Sequence, residues 1–296
     1  MTHALKQILV AVLAACLAMA SVSIGAAVAK SLFPAIGSDA MAGLRNGFAS
    51  VVLIVWWRPW HGARLTRRQI LLLALYGVNL GLMNLLYYRA LDRLPLGLAV
   101  AIEFTGPFGL ALASSRRWSD LLWLALAVIG LLLLLPWGAP NQDVDTRGVM
   151  LALAAGVTWA LYIMLAQKAG KTMGSGRVTA LGTGIAALIS LPVVMQAPPA
   201  WSAFSATTLL LALVVALFSS AIPFTLDMVA LKRLPTRTFG ILMSLDPVAA
   251  ALAGFVLLGE QLTFRQVAAI VCVMIASVGS TALARKGMPV PSEPVC

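Results

Sequence analysis

The chain has 296 residues, 61% of them hydrophobic and only 10% charged, with a mean hydropathy of +0.95. Soluble domains carry about 25% charge, so this chain has too little polar surface for a water-facing globule and reads as a polytopic membrane protein. Its net charge of +11 does not point to nucleic acid, because the basic residues lie between apolar runs, where they act as topology determinants.

The first 30 residues imitate a secretory signal: Lys6, an apolar stretch, then Ala27-Val28-Ala29. Leu13-Ala14-Ala15-Cys16 even resembles a lipoprotein cleavage box. The apolar stretch continues to Ala29, long enough for the roughly 20 residues a span needs. Retention as a first helix is the simpler account.

Apolar runs bounded by charges, Gly or Pro predict ten spans, near 7–29, 40–57, 69–88, 95–114, 120–137, 148–168, 178–196, 206–228, 236–258 and 265–284. The links between them leave no room for a soluble domain. The tail, residues 287–296 ("GMPVPSEPVC"), is Pro-rich and is expected to be a disordered cytoplasmic extension. Tryptophans at 56, 57, 60, 118, 123, 137 and 201 fall near predicted helix ends, as an interfacial belt would.

With the N-terminus inside, the cytoplasmic segments hold 15 of the 21 Lys and Arg residues. The outer segments hold 5 (Lys30, Arg89, Arg93, Arg147, Arg265), and Arg45 lies within the second span. This bias predicts that both termini are cytoplasmic.

"ALDRLP" at 90–95 recurs as "ALKRLP" at 230–235, an offset of 140 residues. At the same offset Pro107 meets Pro247, and Ala111-Leu112-Ala113 meets Ala251-Leu252-Ala253. Five spans separate the copies, and an odd number inverts the second relative to the bilayer. The expected fold is therefore all-α, with ten transmembrane helices in two inverted five-helix repeats, residues 1–139 and 140–286. Such repeats usually build secondary transporters, with a midplane site beside interrupted helices.

The repeat gives "AVAIEFTGP" (99–107) a meaning. Glu103 lies eight residues after Pro95, about 12 Å along a helix. Asp246 lies eleven after Pro235, about 16 Å by the same rise. Both would sit near the middle of a hydrocarbon core about 30 Å thick, each just before a predicted helix break, Gly106-Pro107 and Pro247. An ionised carboxylate there costs about 3 kcal/mol on insertion scales. It must face a cavity, find a partner or stay protonated. Function for both is a substrate ammonium site, a proton-coupling site, or both in exchange.

Arg45 can snorkel outward or serve a cavity. Lys30 reads as interfacial, and Asp227 as a partner for Lys232 or Arg233. Asn79 and Asn84 share the third span with Tyr76 and Tyr87; Asn84 either lines a cavity or ties helices together. Trp159 and Tyr162 share a helix face, for packing or as a cavity wall. Thr105 and Ser244 are candidates for a substrate hydroxyl. Gly77 and Gly81 are spaced for close helix packing.

Enzyme classes are disfavoured. Cys16, Cys272 and Cys296 have neither metal nor disulfide spacing, His3 and His61 lie outside the apolar runs, and there is no HExxH. No nucleophile–base pair stands out, and no GxxxxGK[ST] supports ATP drive. No cofactor or metal is expected.

The strings "KSLFP" (30–34), "GVNLGLMNLLYY" (77–88), "AVAIEFTGP" (99–107), "SSRR" (114–117), "ALKRLPTRTFGILMSLDP" (230–247) and "SVGST" (277–281) carry a resemblance. It covers roughly residues 8–285. The chain resembles the EamA-type branch of the drug/metabolite transporter (DMT) superfamily, and within it the threonine/homoserine exporters of enteric bacteria. Asp246 departs from the glutamate expected before that proline, one methylene shorter. The resemblance implies an exporter of small hydrophilic amino acids in the bacterial inner membrane, an antiporter driven by protons. It also implies a central cavity from helices 1–4 and 6–9, with helices 5 and 10 peripheral. The implied partners are the amino acid, protons and lipid, and not nucleic acid; a homodimer stays open. The competing expectation is a DMT carrier for another metabolite or a drug, by uptake or efflux.

Overall fold

The structure is a computed structural model that describes residues 3–61, 64–113, 119–133, 144–196, 203–223, 226 and 243–283. Its elements in chain order are α1 (His3–Ser31), α2 (Ser38–Trp57), α3 (Arg67–Leu91), α4 (Leu96–Ala113), α5 (Ser119–Leu132), α6 (Thr146–Met173), α7 (Ser175–Gln196), α8 (Ala206–Ala216), α9 (Asp246–Leu258) and α10 (Phe264–Leu283). A single helical turn, Phe33–Ile36, joins α1 to α2, and a π-helical turn, Leu217–Ala221, extends α8. Among the described residues there is no strand. Trp118, Trp137, Trp201, Asp227, Lys232, Arg233, "SSRR", the second "ALKRLP" copy and the 287–296 tail lie outside the described residues.

Composition explains the all-helical architecture. Without water, a backbone satisfies its polar groups most simply within one helix. Five helices are long and apolar enough to cross a membrane: Leu9–Ser31, Ser38–Trp57, Arg67–Leu91, Thr146–Met173 and Gly176–Gln196. Shorter apolar helices accompany them. Many large apolar side chains face outward; Phe264 is 87% exposed and Val256 72%. Small ones face inward, with Ala11, Ala15, Ala27, Ala29, Ala152 and Ala155 at 0% exposure. This inversion of soluble packing is what a lipid surround favours, since close backbone approach, not expulsion of apolar groups from water, holds helices together.

Helix ends are fixed by local chemistry. Thr66 and Gln69 form a capping box at α3, and Thr263 and Gln266 make the same reciprocal bonds at α10. Asp145 caps α6 by accepting from the N–H groups of Arg147 (2.8 Å) and Gly148 (3.4 Å). Its other oxygen accepts from Arg93 (2.7 Å). The Arg93 hydrogen bond, and then the two backbone donors, hold the Asp145 carboxyl below its usual range.

The helix contacts pair up in a regular way. α4 lies against α6, and α9 against α1; α3 lies against α6 and α7, and α8 with its π turn against α1 and α2. Three pairs link matching positions: α2 with α7, α4 with α9, and α5 with α10.

Two expectations change here. Gly106-Pro107 does not end its helix; α4 runs from Leu96 to Ala113 with Pro107 inside it. Proline removes only one donor, the partner of the carbonyl four residues back, which is that of Glu103. Gly106 serves a helix crossing instead. A methyl built on it would lie 1.9 Å from the Gly156 carbonyl oxygen, and one on Gly156 would lie 2.6 Å from the Glu103 carbonyl oxygen. Pro247 differs from Pro107 in standing in the first turn of a helix: α9 begins at Asp246, after a turn at Ser244-Leu245. The depth estimate along an unbroken helix therefore does not apply to Asp246. By contrast, Gly77 does mark a close crossing, since a methyl there would lie 2.5 Å from Ile185 Cβ on α7.

Candidate functional site

A cavity of about 310 Å³ opens between the helices. Among the described residues its wall comes from α1–α4, α6, α7 and α9, with the π turn, Pro223 and Met243, and none comes from α5 or α10. The structure brings Glu103, Asp246, Arg45, Asn84, Tyr87, Trp159 and Tyr162 to this one wall. Two predicted residues are absent from it. The Thr105 hydroxyl donates to the Ile102 carbonyl (2.6 Å), within its own helix. Ser244 is fully buried and shares a hydrogen bond with Ser277 of α10 (2.7 Å). The helix-break residues Gly106, Pro107 and Pro247 do not line the cavity; they shape the backbone behind it.

Glu103 projects from mid-α4 and is 8% exposed. Asp246 stands in the first turn of α9, where unpaired N–H groups make a favourable place for a carboxylate. Glu103 feels both the Asp246 carboxylate and the Arg45 guanidinium electrostatically. Among the described residues it makes no ion pair.

Arg45 is held from several sides. Nη1 donates to Asn84 Oδ1 (2.9 Å), and Nη2 donates to the Ser219 carbonyl in the π turn (3.3 Å). Its guanidinium carbon lies 5.5 Å from the centre of the Tyr88 ring, a cation–π distance. Behind Asn84 the network continues: Asn84 Nδ2 donates to Asn46 Oδ1 (2.9 Å), and Asn46 Nδ2 to Ser190 Oγ (3.0 Å). Ser190 Oγ donates to the Ala186 carbonyl (2.9 Å). Asn46 is 2% exposed and Ser190 0%. Buried polar groups satisfied in series fix one geometry, and here that geometry is Arg45's. Its Nε has no hydrogen-bond partner among the described residues. Asn84 thus does both things left open for it, lining the cavity and tying α3 to α2. Asn79 only ties helices, donating to the Thr158 carbonyl (2.8 Å).

Aromatic rings complete the wall. Trp159 meets Phe104 edge-on (5.9 Å between centres), and Tyr162 leans on Tyr76 (5.4 Å). At the end of the bundle carrying the α3–α4 link, Lys30 does more than sit at an interface. It donates to Glu260 Oε1 (2.6 Å) and the Leu94 carbonyl (2.5 Å), while Glu260 Oε2 accepts from the Leu96 N–H (2.7 Å).

Sequence inspection passes over Asn46, Ser190, Ser23, Ser219, Ser220 and Glu260. The signal that marks Asn84, a polar side chain in an apolar run, marks most of them as well.

Comparison with known proteins places this geometry. Residues 146–282 match the EamA-like transporter family. The threonine/homoserine exporter RhtA of Escherichia coli strain K12 is 48% identical over 273 residues, covering 91% of this chain and 90% of that protein. The chain belongs to the EamA-like transporter family. It is thus a membrane transporter of the DMT superfamily, of the RhtA-like kind, and not an enzyme. RhtA of Salmonella typhimurium strain LT2 is 46% identical over 274 residues, again covering 91% of this chain and 90% of the relative. A protein of known crystal structure, 18% identical, superposes with a TM-score of 0.62 over 92% of this chain and 98% of its own. At that identity the likeness is one of fold.

Proposed function

We propose that this transporter exports small hydrophilic amino acids of the threonine/homoserine type across the bacterial inner membrane, in exchange for protons, by alternating access. Its ten helices form two inverted five-helix halves with both termini in the cytoplasm. One observation carries the reading: an arginine and two carboxylates, Arg45, Glu103 and Asp246, share one cavity wall. An α-amino acid is a zwitterion. Its carboxylate fits Arg45, whose planar fork suits it, and its ammonium fits Glu103 or Asp246. With all three groups ionised the cavity holds one excess negative charge; a zwitterion leaves that charge unchanged, and a proton on one carboxylate neutralises it. Protonation of the carboxylate releases the cation on the outer side. The RhtA relatives support the substrate class, and the matched helix contacts support the inverted halves.

The aromatic lining from Tyr76, Tyr87, Trp159 and Tyr162 favours a second reading, a DMT carrier for a less polar metabolite or drug, in either direction. Counterflow in proteoliposomes decides between them, with a panel of amino acids and cationic dyes at several pH values. Threonine or homoserine exchange that depends on pH is expected. Glu103→Gln should abolish it while the protein still reconstitutes; near-normal exchange by that variant would refute the assignment.

A further inference from the structure

A transporter that distinguishes hydroxy amino acids from their deoxy analogues needs a hydroxyl partner with hydrogen-bonding capacity to spare. Most hydroxyls in helices lack it, because they bond back to their own preceding turn. Thr158 and Ser190 do so here, and so does Thr183 on the cavity wall. Thr179, also on the wall, is bonded to Tyr76. The Ser219 hydroxyl makes no hydrogen bond among the described residues, but its oxygen is buried against Gly25, out of a substrate's reach. Tyr87 lies on the carboxylate side, within electrostatic reach of Glu103 and Asp246.

Two hydroxyls are different. Ser23 of α1 is 3% exposed, lines the cavity, and makes no hydrogen bond among the described residues, not even the backward one. Ser220 of the π turn lines the same cavity and is equally without a partner among the described residues. α1 packs on this turn through Ser21, whose Oγ donates to the Phe218 carbonyl (2.7 Å), and through Gly25, which abuts Ser219; Ser23 points from another face of α1 to the same cavity. Arg45 reaches the same turn through the Ser219 carbonyl. Pro223, four residues on, has no N–H to offer that carbonyl, which leaves it open to Arg45. π turns of this kind often mark functional sites.

We propose that Ser23 and Ser220, two hydroxyls with hydrogen-bonding capacity to spare on the cavity wall, recognise the substrate hydroxyl and set the preference for hydroxy amino acids over isosteres that carry a methyl instead. This rests on the amino-acid reading above and names its specificity-determining residues. A site built to bond a hydroxyl rejects the analogue without one, because its own polar groups are then left unpaired.

The test is competition counterflow in proteoliposomes with threonine against valine and homoserine against norvaline. The wild-type protein should prefer the hydroxy member of each pair by about tenfold or more. Ser23→Ala and Ser220→Ala should each erode that ratio roughly three- to tenfold through weaker binding of the hydroxy amino acid. The double variant should bring it near one. Ser23→Cys and Ser220→Cys, close in volume but weak donors, replace any alanine variant that does not accumulate and must show the same loss. A double variant that exchanges threonine with the wild-type ratio overturns this inference and leaves amino-acid transport standing. A wild-type protein that exchanges no amino acid at all overturns both.

Discussion

Arg45 shows how much of a site depends on the residues behind it. Its two terminal nitrogens point in different directions, to Asn84 on α3 and to the Ser219 carbonyl on the π turn. Lysine keeps the charge but offers a single point of donation. Arg45→Lys should therefore raise the KM for threonine roughly tenfold while Vmax falls less, read in proteoliposomes at matched protein density. Equal loss of both would mean that Arg45 works in the moving step rather than in binding. The carboxylates and Arg45 are legible in the sequence because an ionisable group within an apolar run needs a reason. Hydroxyls are not legible in the same way. Thr105 and Ser244 look as suitable as Ser23, yet Thr105 satisfies itself on Ile102 and Ser244 pairs with Ser277. Periodicity does not say which hydroxyl faces a cavity when every face of the helix is apolar.

At the scale of elements, the same chemistry misleads and then instructs. Gly-Pro inside an apolar run reads as a break, because both residues disfavour helices. In α4 the helix persists, since neighbouring helices support it and only one carbonyl loses its donor. What the sequence does not disclose is the partner, Gly156, whose backbone fills the space beside Gly106. Three residues away on the same helix, Gly109 has nothing within 4 Å of where a methyl would stand. One substitution thus has two outcomes. Gly106→Ala must push two backbones apart and should destabilise by about 1–3 kcal/mol. Gly109→Ala meets no atom and should change stability by less than about 1 kcal/mol, in either direction. Thermal unfolding of the two variants in one detergent measures the difference, and equal melting temperatures would remove the crossing from the account. Because Gly156 also abuts the Glu103 carbonyl oxygen, Gly106→Ala should weaken transport as well as stability.

For the whole molecule, the described ion pairs join helix ends that alternating spans would put at one face. Lys30–Glu260 links the end of α1 to the α9–α10 link, Arg89–Asp39 links the end of α3 to the start of α2, and Arg93–Asp145 links the α3–α4 link to the start of α6. The opposite ends meet one another too: Gln69 at the start of α3 donates to the Thr172 carbonyl near the end of α6, and Gly176 at the start of α7 packs on Trp57 at the end of α2. Such contacts require neighbouring helices to run in opposite directions, yet they do not say which face is the outside. The proposed orientation rests on the distribution of Lys and Arg, since basic residues cross a membrane poorly and are retained in the cytoplasm. The face with the three described ion pairs carries the sparse set Lys30, Arg89, Arg93, Arg147 and Arg265, and in that proposal it is the external one. In the proposed orientation α1 starts inside and α6 starts outside, the helices between them alternating, so the two halves would be inverted copies. A fluorescent-protein fusion after Cys296 should glow, which requires a cytoplasmic terminus, and alkaline phosphatase fused after residue 139 should be active, which requires an external one. Cytoplasmic reports from both residue 139 and Cys296 would give the second half an even number of spans and end the inverted repeat. Glu103 and Asp246 would then no longer come from corresponding helices of opposed halves, and the exchange of ammonium for proton between them would lose its structural basis.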